Sequence, residues 1–285
     1  MEIKHVGVLG AGTMGAGIAQ VFAEAGLKVI LVDIDNNMLQ SALEKIKKSW
    51  QKALDKGKID TAAKAAREAL LECGGDMSGF RDCDLVVEAI VEEIGVKQKV
   101  FQAMADICPE QTILATNTSA LSITEIAAAT KRADRILGMH FFNPVTVMKL
   151  VEVIPGLETS PGTTQAIVEL AGRIGKEPVI AQEAPGFLVN RILNPLVNEA
   201  ALVYQEGRAS AEEIDKAMKL GAGLPMGPLA LADLVGLDVV LNVTEYLFKE
   251  FGEAKYRPAL ILKQKVRAGH LGVKTGKGFY DYAKQ

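Results

Sequence analysis

The sequence predicts an α/β fold in which a doubly wound sheet is followed by an all-α domain, and three observations predict it. A short apolar run, a glycine-spaced turn and a small-residue helix open the chain. Further apolar runs of strand length then alternate with helical stretches as far as Ala181. From Phe187 onward no strand pattern occurs.

In the opening stretch Ile3, Val6, Val8 and Leu9 suit a buried parallel strand. Gly10-Ala11-Gly12-Thr13-Met14-Gly15 follows in the G-x-G-x-x-G pattern. Gly10 makes the tight turn, Gly12 lets backbone approach a pyrophosphate, and Gly15 lets the new helix pack close to its strand. The unpaired amides and positive end of that helix face the anion. Gly26 is a C-cap candidate, and a second apolar strand closes on Asp33, about 20 residues beyond the glycines. A carboxylate there accepts both ribose hydroxyls of adenosine and repels a 2′-phosphate. NAD is therefore expected over NADP, although neighbouring residues could still admit NADP. The alternative, a βαβ unit with no nucleotide, is weighed down by four features in one order, and the domain is expected to be Rossmann-type.

A length of 285 residues lies between one large domain and two ordinary ones. The net charge of −3, with no long basic tract, argues against a nucleic-acid binder. No stretch of about 18 uncharged apolar residues predicts a membrane span. The first strand begins too near the N-terminus to leave room for a signal or transit peptide, so a cytoplasmic protein is expected. Cys73, Cys83 and Cys108 are odd in number and lack C-x-x-C spacing. Small buried thiols are expected, with no disulfide framework and no metal site.

Next comes a predicted helix over 36–56 with Met38, Leu39, Leu43, Ile46, Trp50 and Leu54 in an apolar stripe. Lys45, Lys47, Lys48, Lys52, Lys56 and Lys58 crowd its end against Glu44 and Asp55. A solvated helix face is the ordinary account. The sharper one is a landing strip for a polyphosphorylated substrate handle, with Ser49 and Lys56 within reach. A further helix is predicted over 60–71, broken by Gly74-Gly75-Asp76. A strand over 84–89 leads to Glu92-Glu93 and a helix running to about Ile107. Glu92 and Lys97 sit near a strand's carboxyl end, where open α/β sheets bind ligands, and are candidates for the nicotinamide ribose region or ordinary surface charges. A strand over 112–116 ends in Asn117-Thr118-Ser119. Ser122 with Glu125 resembles a capping box, which leaves Ser119 for a ligand.

A histidine between apolar residues, as His140 is, is ordinarily a satisfied core group. Twelve residues on, Glu152 places a lone carboxylate inside an apolar strand, where an unpaired charge is costly. A His140–Glu152 pair satisfies both: the carboxylate accepts from one ring nitrogen, fixes the tautomer and raises the basicity of the other. A helix over 161–174 and a strand over 178–181 precede Glu183-Ala184-Pro185-Gly186, a hinge candidate that divides the chain into 1–184 and 185–285. Helices are predicted over 187–206, 210–219, 228–234, 237–250 and 258–268. Many stripes of this all-helical domain are apolar, as in Ile192, Leu193, Leu196 and Val197, and a domain this apolar is expected to supply a homodimer interface.

Taken in order, GAGTMGAGIA with Asp33, VEAIVEE, TNTS, HFFNP, KLVEVI, PGFLVNR, MKLGAG with PMGP, and KTGKGFYDY resemble the L-3-hydroxyacyl-CoA dehydrogenase family, most of all its short-chain bacterial members. The resemblance implies reversible hydride transfer between NAD(H) and the pair acetoacetyl-CoA and (S)-3-hydroxybutyryl-CoA. It assigns His140 and Glu152 as the catalytic pair, with Ser119 and Asn190 positioning the substrate. It assigns NAD contacts to Gly10, Gly12, Thr13, Met14, Gly15, Asp33, Glu92, Lys97, Ser119, Asn143 and Lys274, and CoA contacts to Ser49 and Lys56. Asn190 lies just past the hinge, so domain closure is expected to complete the site. A dehydrogenase of free hydroxy acids is a rival that the lysine cluster disfavours. A catalytically silent NAD-binding protein is a second, disfavoured by the presence of both His140 and Glu152.

Overall fold

Eight short segments, most of them apolar, pair into one sheet in the computed structural model, which describes residues 2–283. They are β1 (His5–Leu9), β2 (Lys28–Val32), β3 (Leu71–Gly74), β4 (Leu85–Glu88), β5 (Ile113–Thr116), β6 (Ile136–Phe141), β7 (Leu150–Pro155) and β8 (Glu177–Ile180). Their spatial order is β3-β2-β1-β4-β5-β6-β7-β8. Every neighbouring pair is parallel except β6 with β7. Residues of β4, β5 and β6 are buried throughout, the pattern required when both faces of a sheet are covered. The strand order turns back at β1, which lies between β2 and β4, so a crevice opens at the carboxyl ends of β1 and β4.

The crossovers are α1 (Thr13–Glu24), α2 (Asn36–Asp55), α3 (Thr61–Ala69), α4 (Ile94–Ile107), α5 (Ile123–Ala127) and α6 (Pro161–Arg173). Their starts follow local chemistry: Asp35, Asp60, Ser122 and Ser160 each accept an amide of the first turn that follows. α1 packs on β1 and β2 through Ile18 and Phe22, and Phe22 meets Phe141 of β6 edge to face at 6.3 Å.

Two expectations need correction. The helix predicted over 60–71 stops at Ala69, and residues 71–74 form β3 against β2. Without β3, the backbone groups of β2 would be left unpaired along that edge. Cys73 lies on this edge strand and is exposed, whereas Cys83 and Cys108 are buried. Burial pushes the Cys83 thiol up to about 12 and the Cys108 thiol up to about 11.

The chain separates into two compact units, the first ending at Ala184 and the second beginning at Pro185. The second is built from α7 (Val189–Gln205), α8 (Ala211–Ala222), α9 (Pro228–Val235), α10 (Leu237–Phe251) and α11 (Leu260–Arg267). Val197, Leu229, Leu237 and Leu262 form its core. Two buried carboxylates tie its elements together. Asp215 accepts from the first amides of α9 and from the Tyr280 hydroxyl, and Asp233 accepts from the amides of Phe279 and Tyr280. Among the described residues no helix is long and apolar enough to cross a membrane, and no His, Cys, Asp and Glu cluster could hold a metal ion.

Candidate active site

At the switch point the glycine turn is constrained by backbone on one side and open on the other. Gly10 has φ +103°, and a Cβ there would lie 2.5 Å from the Ala89 carbonyl oxygen just past β4. Gly15 is required for a reason other than helix–strand packing: a Cβ there would lie 1.7 Å from the carbonyl oxygen of Gly10 but 3.5 Å from Val8 of β1. A Cβ at Gly12, by contrast, would meet nothing within 4 Å. Gly12 is the N-cap of α1, no side chain caps that end, and no acid lies in its first turn. Thr13 is exposed and Met14 half-buried beside it. An open, uncapped helix start whose floor would be filled by a Cβ at residue 12 fits a pyrophosphate. Asp33 is fastened to this turn, accepting from the Ala11 amide at 2.7 Å and from the Asp35 amide at 2.9 Å. A carboxylate has room for further donors on both oxygens, so Asp33 also fits a ribose diol.

Beyond β4 and β5 a charged network joins Glu92, Lys97 and Ser119. Lys97 is 1% exposed, which rules out the surface-charge reading for it. Its ammonium donates to Glu88 Oε1 at 2.6 Å and lies 3.3 Å from Glu92 Oε2. Glu88 is fully buried and accepts as well from the Ile90 amide and the Thr116 hydroxyl, both at 2.7 Å. Glu92 Oε1 accepts from the Thr118 hydroxyl at 2.6 Å, the Ser119 amide at 2.8 Å and the Ser119 hydroxyl at 3.1 Å. Glu88 and the two threonines were not singled out from the sequence. A signal for Glu88 was present, since it too is a lone carboxylate ending an apolar strand.

His140 and Glu152 are brought together by strand register. β6 and β7 run antiparallel with these two residues directly opposite one another, which sets both side chains on the same face. The imidazole Nδ1 lies 2.7 Å from Glu152 Oε2. Glu152 has no exposed surface and His140 only 6%, so the pair is shielded from water. An ionised carboxylate at this distance accepts the Nδ1 proton, which fixes the orientation of the ring. The Phe142 ring packs 4.5 Å from the imidazole, and Phe141 donates its amide to Asn117 Oδ1 at 2.9 Å, tying β6 to the end of β5. Asn143, exposed, follows two residues later.

The remaining candidates stand on other elements. Ser49 is half-buried on α2 and its hydroxyl accepts from Gln20 Nε2 at 3.0 Å. Lys56, exposed at the C-cap of α2, is two helical turns further along the same face. In the second unit Asn190 stands in the first turn of α7. Lys274 pairs with both carboxylate oxygens of Asp238, at 2.6 and 2.7 Å, at the start of α10.

Two family models match this chain: the NAD binding domain of 3-hydroxyacyl-CoA dehydrogenase over residues 5–184, and the C-terminal domain of 3-hydroxyacyl-CoA dehydrogenase over residues 186–282. A 3-hydroxybutyryl-CoA dehydrogenase of Clostridioides difficile is 51% identical, covering 97% of this chain and 99% of that protein. The mitochondrial hydroxyacyl-coenzyme A dehydrogenase of Homo sapiens is 44% identical over 98% of this chain and 91% of that one. The crystal structure of (S)-3-hydroxybutyryl-CoA dehydrogenase from Ralstonia eutropha superposes with a TM-score of 0.95 at 48% identity, covering 99% of each chain. With a glycine turn suited to a dinucleotide, a buried His–Glu pair and both family domains matched end to end, the chain belongs to the 3-hydroxyacyl-CoA dehydrogenase family, an NAD-binding group of oxidoreductases that act on CH–OH.

Proposed function

We propose that this protein is a 3-hydroxybutyryl-CoA dehydrogenase, interconverting (S)-3-hydroxybutyryl-CoA and acetoacetyl-CoA with NAD. The observation that carries the reading is the shielded His140–Glu152 pair, at 2.7 Å, in the same sheet as the open glycine turn. NAD, when bound, supplies the hydride acceptor. In oxidation His140 Nε2 takes the C3 hydroxyl proton as C3 gives up its hydride, and in reduction the imidazolium returns that proton to the forming alkoxide. Glu152 holds the Nδ1 proton and stabilises the charged ring. Ser119 and Asn190 donate to substrate oxygens and fix C3 for transfer. For Ser119 this means exchanging its present acceptor, Glu92, for the substrate.

Several features support the rest of the reading. The lysine-rich end of α2, with Ser49 and Lys56, suits the phosphates of CoA. Ile192, Leu220, Leu234 and Leu260 are each more than half exposed, which supports a homodimer through the helical unit. The three cysteines are unpaired, which suits a reducing compartment such as the cytoplasm. A closing step on ligand binding, expected from the position of Pro185-Gly186 before Asn190, belongs to the same reading. Identical small-angle scattering with and without NAD and acetoacetyl-CoA would count against it.

The test is an absorbance assay of NADH with acetoacetyl-CoA, free acetoacetate and NADPH as comparisons. NADH is expected to be consumed with the thioester and not with the free acid, and NADPH to serve poorly. Equal rates with acetoacetate would replace this reading with that of a free hydroxy-acid dehydrogenase.

A further inference from the structure

Lys176, between α6 and β8, carries its charge inward and is 8% exposed. Its ammonium donates to the carbonyl oxygens of Val145 and Met148, the latter at 2.8 Å, and among the described residues it makes no ion pair. Burial holds its pKa below the usual lysine value, and the charge of Glu24 only partly opposes this. A buried ammonium held by carbonyls alone is costly, so what it grips is informative.

It grips the turn that follows the histidine strand. There the Pro144 carbonyl accepts from the amides of Val147 and Met148, at 3.0 and 2.9 Å. Val145 is 3% exposed and packs on α1 where Gly17 leaves room, since a Cβ at Gly17 would come within 2.9 Å of the Val145 Cβ. On the other side of Asn143, the Phe141 amide is held by Asn117 at 2.9 Å. Asn143 is therefore suspended between the end of β6 and a turn fixed by Lys176 against the helix that the glycine turn opens.

We propose that Lys176 is a positioning residue for dinucleotide binding, acting through the 143–148 turn to hold Asn143 in place relative to α1. The inference rests on the assignment of Asn143 as a cofactor contact. Its test is NADH affinity, by fluorescence titration, of Lys176→Met, Asn143→Ala and the double variant, with amide hydrogen exchange of the cofactor-free protein. Each single change is expected to weaken NADH by about tenfold, and the double by no more than about twofold beyond Asn143→Ala, because one effect runs through the other. Exchange at the Val147 and Met148 amides is expected to rise in Lys176→Met while that of β1 and β4 is unchanged. Fully additive losses, or unaltered affinity in Lys176→Met, overturn the proposal. Wild-type affinity in Asn143→Ala alone overturns the assignment of Asn143, and the inference with it. Val145→Ala loosens the same turn from its α1 side and is expected to show the same non-additivity, so the question remains answerable if Lys176→Met does not fold.

Discussion

The parallel part of the sheet and its one antiparallel pair solve different problems. Between β1, β2 and β4 the groups proposed to hold the cofactor stand on turns beyond the strand ends: the glycine turn and Asp33. At β6 and β7 the groups proposed to handle the proton lie within the strands, and a cross-strand register sets His140 against Glu152. Turns expose amides and leave volume, which binding an extended anion requires. Strand interiors leave side chains little freedom and exclude water, which a proton-handling pair requires. On the proposed function, the difference teaches that binding and proton transfer rest on separate supports and can be damaged separately.

The largest expected effect breaks the proton-handling side. His140→Ala is expected to lower kcat by roughly 10²–10⁴-fold with NADH affinity retained. Glu152→Gln keeps an acceptor for Nδ1 but loses the charge that stabilises the imidazolium, and is expected to cost roughly 10²-fold in kcat. The cradle side is sharpened by two alanines. Gly12→Ala places a methyl in open space, so NADH affinity should fall by about tenfold with thermal stability unchanged. Gly10→Ala, at φ +103° and 2.5 Å from a carbonyl oxygen, should destabilise the fold by about 2 kcal/mol or more in denaturant unfolding.

A control from the other end of β4 belongs to neither region. The Cys83 thiol is raised from 9.0 to about 12 by burial, so the folded state holds its proton where the unfolded state loses it. Its contribution is fully present below pH 9.0 and is lost as pH rises toward about 12. Stability should therefore fall by up to about 1.4 kcal/mol per pH unit in that window. Cys83→Ala should flatten the slope in alkaline unfolding without changing kcat. The smallest effect belongs to Lys56→Ala, whose exposed charge should be worth about 1 kcal/mol or less, seen as a few-fold rise in KM for acetoacetyl-CoA that disappears at high salt.

What was legible beforehand was whatever local chain geometry or one solitary charge demanded. Gly10 and Gly12 stand out because a tight turn and a close ligand each exclude a side chain; Gly15 stands out by its spacing, and its crowding against the Gly10 carbonyl shows only in the fold. Glu152 stands out because a carboxylate in an apolar strand needs a partner, and a pair with His140 satisfies both residues. The missed features depend on contacts distant in sequence. β3 has four residues with two exposed, so its pairing comes from the open edge of β2 and not from its own pattern. Lys176 looks like an ordinary charge until Val145 and Met148, some thirty residues upstream, are seen around it. Glu183, in the segment proposed as a hinge, is tied by the Ser122 hydroxyl and by the amide and hydroxyl of Thr124, a clasp that no spacing suggested. Lys97 is a candidate on sequence grounds, but its burial beside Glu88 shows only in the fold.

The separation of the two supports is tested most directly by measuring NADH affinity and the single-turnover rate of hydride transfer to acetoacetyl-CoA side by side in His140→Ala. The account predicts affinity within about twofold of the parent and a transfer rate lower by roughly 10²-fold or more. A variant that transfers hydride at the parental rate, or that loses NADH along with the rate, would contradict it.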